Sequence, residues 1–336
     1  MMVIVALTLS ACSAGTSTDP DVLTFVSYGG AYQRAQTDAW LDPYAASHDV
    51  RVVQDSPTDY AKLRAMVEAG DVVWDVVDVA GDFGLASDER LLEPIDCDVV
   101  ACDELQPDTF PMTGYRVPNL VYSVVLGYRT DDPGVRPPHS FADFFDLERI
   151  PGKRGAQDWA AGGLLEIALL ADGVLPDRLY PLDLQRAFAK LDTIKSEIVW
   201  WETGAQSAQL LADGEVAVGM SWNGRVYDAQ RAGAPVSVMW DEHLLLADYF
   251  VVPRGSAHRS EAMRLIAWMT SAEHSAALSR HLPYAPAHER ALEHVDPRMA
   301  PHLPTSHLAT AVPFDDRWWD ASFERVDRQW RSWMRS

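Results

Sequence analysis

Leu23-Thr24-Phe25-Val26-Ser27-Tyr28-Gly29-Gly30 and, further on, Trp74-Asp75-Val76-Val77-Asp78-Val79 bracket the stretch on which the fold turns. The first reads as a strand ended by two glycines. The second is nearly continuous in apolar residues, the mark of a strand buried on both faces. Between them a helix is expected through Gln33, Thr37, Trp40 and Tyr44, a second strand over residues 50–53, and a helix over 60–68 closed by Gly70. Strand, helix, strand, helix, strand predicts an α/β layer with parallel strands.

Outward from there the pattern breaks at the Pro-rich stretch 132–138, which reads as a crossover, and Ser140 with Asp143 reads as a capping-box start. A second α/β unit follows. Residues 164–170 are expected as a helix capped at Gly173, and Leu184, Phe188, Leu191 and Ile194 recur at helical spacing. Strands are expected over 215–220 and 244–252, the latter ending at Pro253. Helices are expected over 261–269 and 271–280, and a Trp- and Arg-rich amphipathic helix over 318–333. Leu-Ala-Asp-Gly occurs at 170–173 and 211–214, which reads as two helix C-caps.

Length and composition agree with two lobes. A chain of 336 residues exceeds what one core sustains, and 48% apolar with 23% charged residues excludes disordered, collagen-like and coiled-coil classes. Asp plus Glu number 49 against 28 Lys plus Arg, a net charge of -21, the opposite of a nucleic-acid footprint. That acidity serves solubility or draws a cationic ligand. The 12 Trp include the doublets Trp200-Trp201 and Trp318-Trp319, suited to core corners or to the aromatic walls of a site.

Residues 1–11 are an apolar run too short to span a bilayer but fitting a signal peptide. Leu9-Ser10-Ala11-Cys12 resembles a bacterial lipobox, with Cys12 as the lipidated residue and 13–20 as a polar tether. No Lys or Arg precedes the run, which points to a start codon upstream of Met1 ahead of the alternative, a chain that exports poorly. The expectation is an exported protein held by a lipid at the outer face of the cytoplasmic membrane or in the periplasm. Outside the cytosol Cys97 and Cys102 read as a small disulfide-closed loop, with two free thiols as the alternative. No metal site or cofactor is expected: the ten His are scattered, and P-loop, dinucleotide and nucleophile-elbow motifs are missing. Such a chain reads as a binder rather than an enzyme.

Several motifs resemble the ABC-importer solute-binding proteins of the spermidine/putrescine type. They are Tyr28-Gly29-Gly30-Ala31-Tyr32, Tyr60-Ala61-Lys62-Leu63, Trp74 to Val79, the stretch from Asp213 through Trp222-Asn223-Gly224, and Ala247-Asp248-Tyr249-Phe250-Val251-Val252-Pro253. The resemblance implies an α/β fold of type II, two lobes joined by hinge strands around a ligand cleft. Lobe one would comprise 21–128 plus 246–295 and lobe two 129–245 plus 296–336. It implies a monomer that hands a small amine solute to ABC permease subunits and meets the membrane only through its lipid anchor. The family's binding positions fall on Tyr28, Asp82, Trp222, Asp248 and Trp319. The departure lies in lobe two. Where polyamine binders carry two acids this chain has Ala160 and Gly163, leaving Trp159 and a bare helix start that welcomes anions. A polyamine such as putrescine or spermidine is the leading ligand; unless Asp158 or Glu202 supplies the second anchor, a shorter amine-carboxylate solute such as γ-aminobutyrate fits better. An exported enzyme on the same fold is the remaining alternative.

Overall fold

The computed structural model describes residues 22–105, 110 and 112–336; the expected leader, Cys12 and the expected tether lie outside them. The chain begins with β1 (Val22–Val26) and α1 (Gly30–Gln36), which continues through a π-helical turn (Thr37–Leu41) into α2 (Asp42–His48). Next come β2 (Arg51–Asp55), α3 (Tyr60–Ala69), β3 (Val76–Ala80) and the long β4 (Val117–Arg129). There follow α4 (Ala142–Phe145), β5 (Arg154–Gln157), α5 (Leu164–Ala171), α6 (Leu184–Asp192), β6 (Ile198–Trp201), α7 (Gly204–Ala212), β7 (Val218–Trp222) and α8 (Asn223–Arg231). The chain returns along β8 (Val236–Val251) and ends with α9 (Arg259–Thr270), α10 (Ala272–Ala277), β9 (Ala285–Pro286), β10 (Ala311–Pro313) and α11 (Asp316–Met334).

The strands run in the order β2-β1-β3-β8-β4-β7-β5-β6, with β10 beside β8 and β9 beside β4. β1 is parallel to β2 and β3, and β5 to β6 and β7, as helical connections require. The contacts β3–β8, β8–β4 and β4–β7 are antiparallel, so the sheet is mixed where the sequence pattern suggests parallel strands alone. β4 and β8 serve both halves. β8 pairs with β3 from Asp248 to Val251, while β4 pairs with β7 from Val124 to Tyr128. They are the hinge strands of a two-lobe α/β fold.

Each half buries its own apolar cores. Trp40, Phe250 and Ile266 centre one core of the β2-β1-β3 half, and Trp74, Val77 and Val251 another. In the other half α5, α6 and α11 enclose a large core with Trp201 and Trp319, and Val125, Leu211 and Val226 form a smaller one.

Several expectations shift. Crossing between halves is done by β4 itself, and the Pro-rich stretch is a loop after it. The strand expected over 215–220 is β7, displaced because the N–H groups of Glu215 and Val216 bond back to Leu210 in the turn that ends α7. The strand expected from residue 244 starts at Val236. Ser140 makes no side-chain cap; the Asp143 carboxylate instead accepts the N–H groups of His139 and Ser140. Gly173 and Gly214 both adopt positive φ (82° and 74°) just past α5 and α7, as C-caps do. Cys97 and Cys102 are paired in the structure. Among the described residues no helix is long and apolar enough to cross a membrane.

Candidate functional site

The middle of the sheet gathers an unusual set of buried carboxylates. Asp78, on β3, is wholly buried. One of its oxygens accepts from Tyr32 Oη (2.7 Å), Gln36 Nε2 (2.6 Å) and Ser27 Oγ (3.3 Å), the other from Asn119 Nδ2 (2.8 Å). Tyr32 and Gln36 reach it together because they lie four residues apart on one face of α1. Burial pushes Asp78 up to about 6 even against those four donors.

Asp248, one strand over on β8 and opposite Ala80, is 7% exposed. Its sole hydrogen-bond donor among the described residues is Tyr32 Oη, at 3.5 Å. Burial, then the charges of Asp78 and Asp82, push its pKa well above the usual carboxylate range. Around it stand phenols. The rings of Tyr28 and Tyr32 lie 6.3 Å apart, Tyr32 and Tyr284 5.7 Å, and Tyr284 and Tyr122 6.1 Å. Asp82, in the loop after β3, accepts from Tyr60 Oη at 3.2 Å and is pushed up by burial to about 6. A nearly unbonded, buried carboxylate among aromatic faces is what an ammonium group requires.

These shifts have a sign that can be checked. A carboxylate whose pKa is higher folded than unfolded stabilises the fold below its ordinary value and loses that contribution as pH rises through the folded value. Asp78 and Asp82, at about 6, and the buried Glu166, pushed by burial to about 7, place the window between about 4 and 7. The ligand-free chain is expected to melt a few degrees higher at pH 5 than at pH 7.5, read by calorimetry. A melting temperature that rises with pH across this interval would contradict the cluster.

Across β4 lies the other wall. Asp248 pairs with Leu120 and Trp222 with Val124, so Asp248, Tyr122 and Trp222 project from the same face of the sheet. Trp222 is half-buried and meets Trp201 edge-on at 5.7 Å. In the first turn of α8, Arg225 lies beside it: a Cβ on Gly204 would come within 2.4 Å of the Trp222 ring and 2.8 Å of Arg225 Nε. That Nε is buried without a hydrogen-bond partner among the described residues. Gly224 leaves no room for a side chain either, because a Cβ there would sit 2.6 Å from Tyr284 Cζ. Tyr284 is thereby wedged between the walls. Burial raises its pKa most, while the Arg225 guanidinium pulls it down and Asp248 pushes it up.

The helix start flagged in the sequence lies on the same face. Gly163, at φ 94°, presses α5 against the hinge strands, where a Cβ would meet Leu244 at 2.6 Å. Trp159 is 37% exposed and packs on Phe323 of α11. Asp158 accepts from the Trp330 indole, and Glu202 is exposed on the turn before α7.

Of the residues singled out in the sequence, the structure brings Tyr28, Asp82 and Asp248 into one wall and sets Trp222 on the opposite one. Trp319 stands apart. No part of it is exposed; it stacks on Phe314 and its indole N–H donates to Glu166 in the core. Asp78, Tyr32, Tyr284 and Arg225 were not singled out. Asp78 had a signal, an acid inside an apolar strand, and Arg225 had another, a cation three residues after Trp222 in the first turn of the following helix. Among the described residues no three His, Cys, Asp or Glu side chains are grouped to hold a metal.

A two-lobe α/β fold on hinge strands, with buried acids and aromatic rings gathered beside those strands, has the architecture of a solute-binding protein. The chain belongs to the family of bacterial extracellular solute-binding proteins, whose pattern matches residues 39–305. Such proteins are the solute-binding components of ABC importers, not enzymes. A gamma-aminobutyric acid-binding protein of Pseudomonas aeruginosa is 35% identical over 96% of this chain and 94% of its own. A solved GABA-receptor structure is 43% identical, covers 93% of this chain and 97% of its own, and superposes with a TM-score of 0.86. The spermidine/putrescine side is more distant: periplasmic protein 1 of Haemophilus influenzae is 24% identical over 69% of this chain and 67% of its own.

Proposed function

We propose that the chain captures a short solute with an amine at one end and a carboxylate at the other, 4-aminobutyrate or a close relative, and delivers it to an ABC permease. The observation that carries this reading is Tyr284, packed on Gly224 next to Arg225 in α8 and on Tyr32, which reaches Asp248, so that the charges of both Arg225 and Asp248 act on it. Asp248 takes the ammonium, Arg225 takes the carboxylate, and the tyrosines with Trp222 line the methylene chain. The relatives named for γ-aminobutyrate support it. This reading displaces the polyamine: a diamine needs an acid at both ends, and the far end here offers Arg225, Ala160 and Gly163. The lobes are taken as 21–128 plus 246–295 and 129–245 plus 296–336, a division supported by α11 packing into the core around α5 and α6. Export with a lipid on Cys12, and action as a monomer, complete the proposal.

Calorimetric titration of the Cys12→Ser chain tests it, with 4-aminobutyrate, butylamine, butyrate, putrescine and spermidine as ligands. Binding of 4-aminobutyrate far above the two half-ligands is expected, and at a hundred times its dissociation constant it adds about 2.7 kcal/mol of stability. Tight binding of putrescine or spermidine with none of 4-aminobutyrate would overturn the reading.

A further inference from the structure

The geometry points to Asp78 as a positioning residue: by holding the Tyr32 proton it leaves Asp248 open and makes the Tyr32 oxygen a second acceptor for the ligand's ammonium. The inference rests on the amine end assigned above to Asp248.

A phenol has one proton to give. Tyr32 Oη lies 2.7 Å from Asp78 Oδ2 and 3.5 Å from Asp248 Oδ2, so the proton is committed to Asp78. The lone pairs of the same oxygen are then free, and Asp248 faces no competing donor from the tyrosine. An ammonium has three N–H donors and no acceptor, so two oxygens side by side suit it better than one carboxylate already bonded to a hydroxyl. Asp78 never needs to touch the ligand, being wholly buried behind Tyr32. Gln36 and Asn119 donate to the same carboxylate but make no bond to Tyr32, so neither decides where its proton goes. Were Asp78 replaced by a group that donates, the tyrosine would turn its proton to Asp248 and the ammonium would lose an acceptor.

The test compares 4-aminobutyrate with its N,N,N-trimethyl derivative, which keeps the positive charge but has no N–H to donate. Titrations use the unaltered chain, Asp78→Asn, Tyr32→Phe, the double variant and Gln36→Met, which removes a different donor from the same carboxylate. Asp78→Asn and Tyr32→Phe are each expected to lose roughly 10- to 100-fold in affinity for 4-aminobutyrate. The double variant should lose no more than the worse single one, the trimethyl ligand should change little, and Gln36→Met should stay near the unaltered chain. Equal losses for both ligands, additive losses in the double variant, or an equal loss in Gln36→Met would show a merely structural role and overturn the inference. If Asp78→Asn does not fold, Tyr32→Phe across the two ligands decides alone. Failure of the unaltered chain to bind 4-aminobutyrate at all is a different pattern, and removes the functional reading together with this inference.

Discussion

Asp248→Asn is expected to weaken 4-aminobutyrate binding by roughly a hundred- to a thousandfold while raising the melting temperature of the ligand-free chain. The two effects share one cause. Asp248 is buried, lies 3.5 Å from a Tyr32 hydroxyl whose proton goes to Asp78, and lies within the fields of Asp78 and Asp82. Its charge is therefore unfavourable until a cation arrives, and removing it relieves the empty site. A desolvated charge pair that loses one partner typically loses about 2–5 kcal/mol, which sets the size of the binding effect. The same reasoning gives a pH profile. The free carboxylate has a raised pKa and the ammonium stabilises only its ionised form, so affinity should fall as pH drops through the free value, with a proton released on binding in that range. Titration calorimetry in two buffers of different ionisation enthalpy reads both. Unchanged affinity in the Asn variant would place the amine elsewhere.

Arg225→Met tests the other end, with the stem of the side chain preserved. Its guanidinium stands beside Trp222 with a buried Nε that nothing in the described structure satisfies. An Arg fork matches a carboxylate in shape as well as charge. The variant is expected to lose roughly a hundredfold for 4-aminobutyrate, yet to leave the weak binding of butylamine unchanged or improved, since the repelled end is gone. An equal loss for both ligands would mean that Arg225 supports the fold of α8 rather than the ligand.

Much of the architecture was legible because its signals are local. β1, β2 and β3 with their helices follow from apolar runs punctuated by Gly29-Gly30 and Gly70, and the caps at Gly173 and Gly214 follow from left-handed positions that glycine adopts at little cost. β4 escaped notice. Pro118, Asn119 and Gly127 interrupt its apolar run, and it is stabilised by neighbours on both sides rather than by its own pattern. The first part of β8 was hidden by Asp241-Glu242-His243, polar residues in a strand whose pairing with β4 shifts register there. β5 and β6 are too short to declare a period. For the proposed site, motif resemblance pointed to the acid Asp248 and to Trp222. Arg225 and Tyr284 belong to segments far apart in the chain, and only the folded contact of Gly224 with Tyr284 brings those segments together. The Trp doublets carried two meanings: Trp201 and Trp319 proved to be core, with Trp222 left to line the wall.

The position of β8 has a consequence for the order in which the protein can be made. It lies between β3 and β4 in the sheet, although the chain completes both long before it: Val77 pairs with Val251, and Arg129 with Val236. A growing chain therefore cannot zip either half shut until Val251 has emerged, and until then the edges of β3 and β4 stay open. Closure that depends on such distant partners is slow, because the long intervening loop must be gathered before any contact rewards it. For a chain of an extracellular family lateness is useful, since the strand that joins β3 to β4 is also the one that lets both halves become solid.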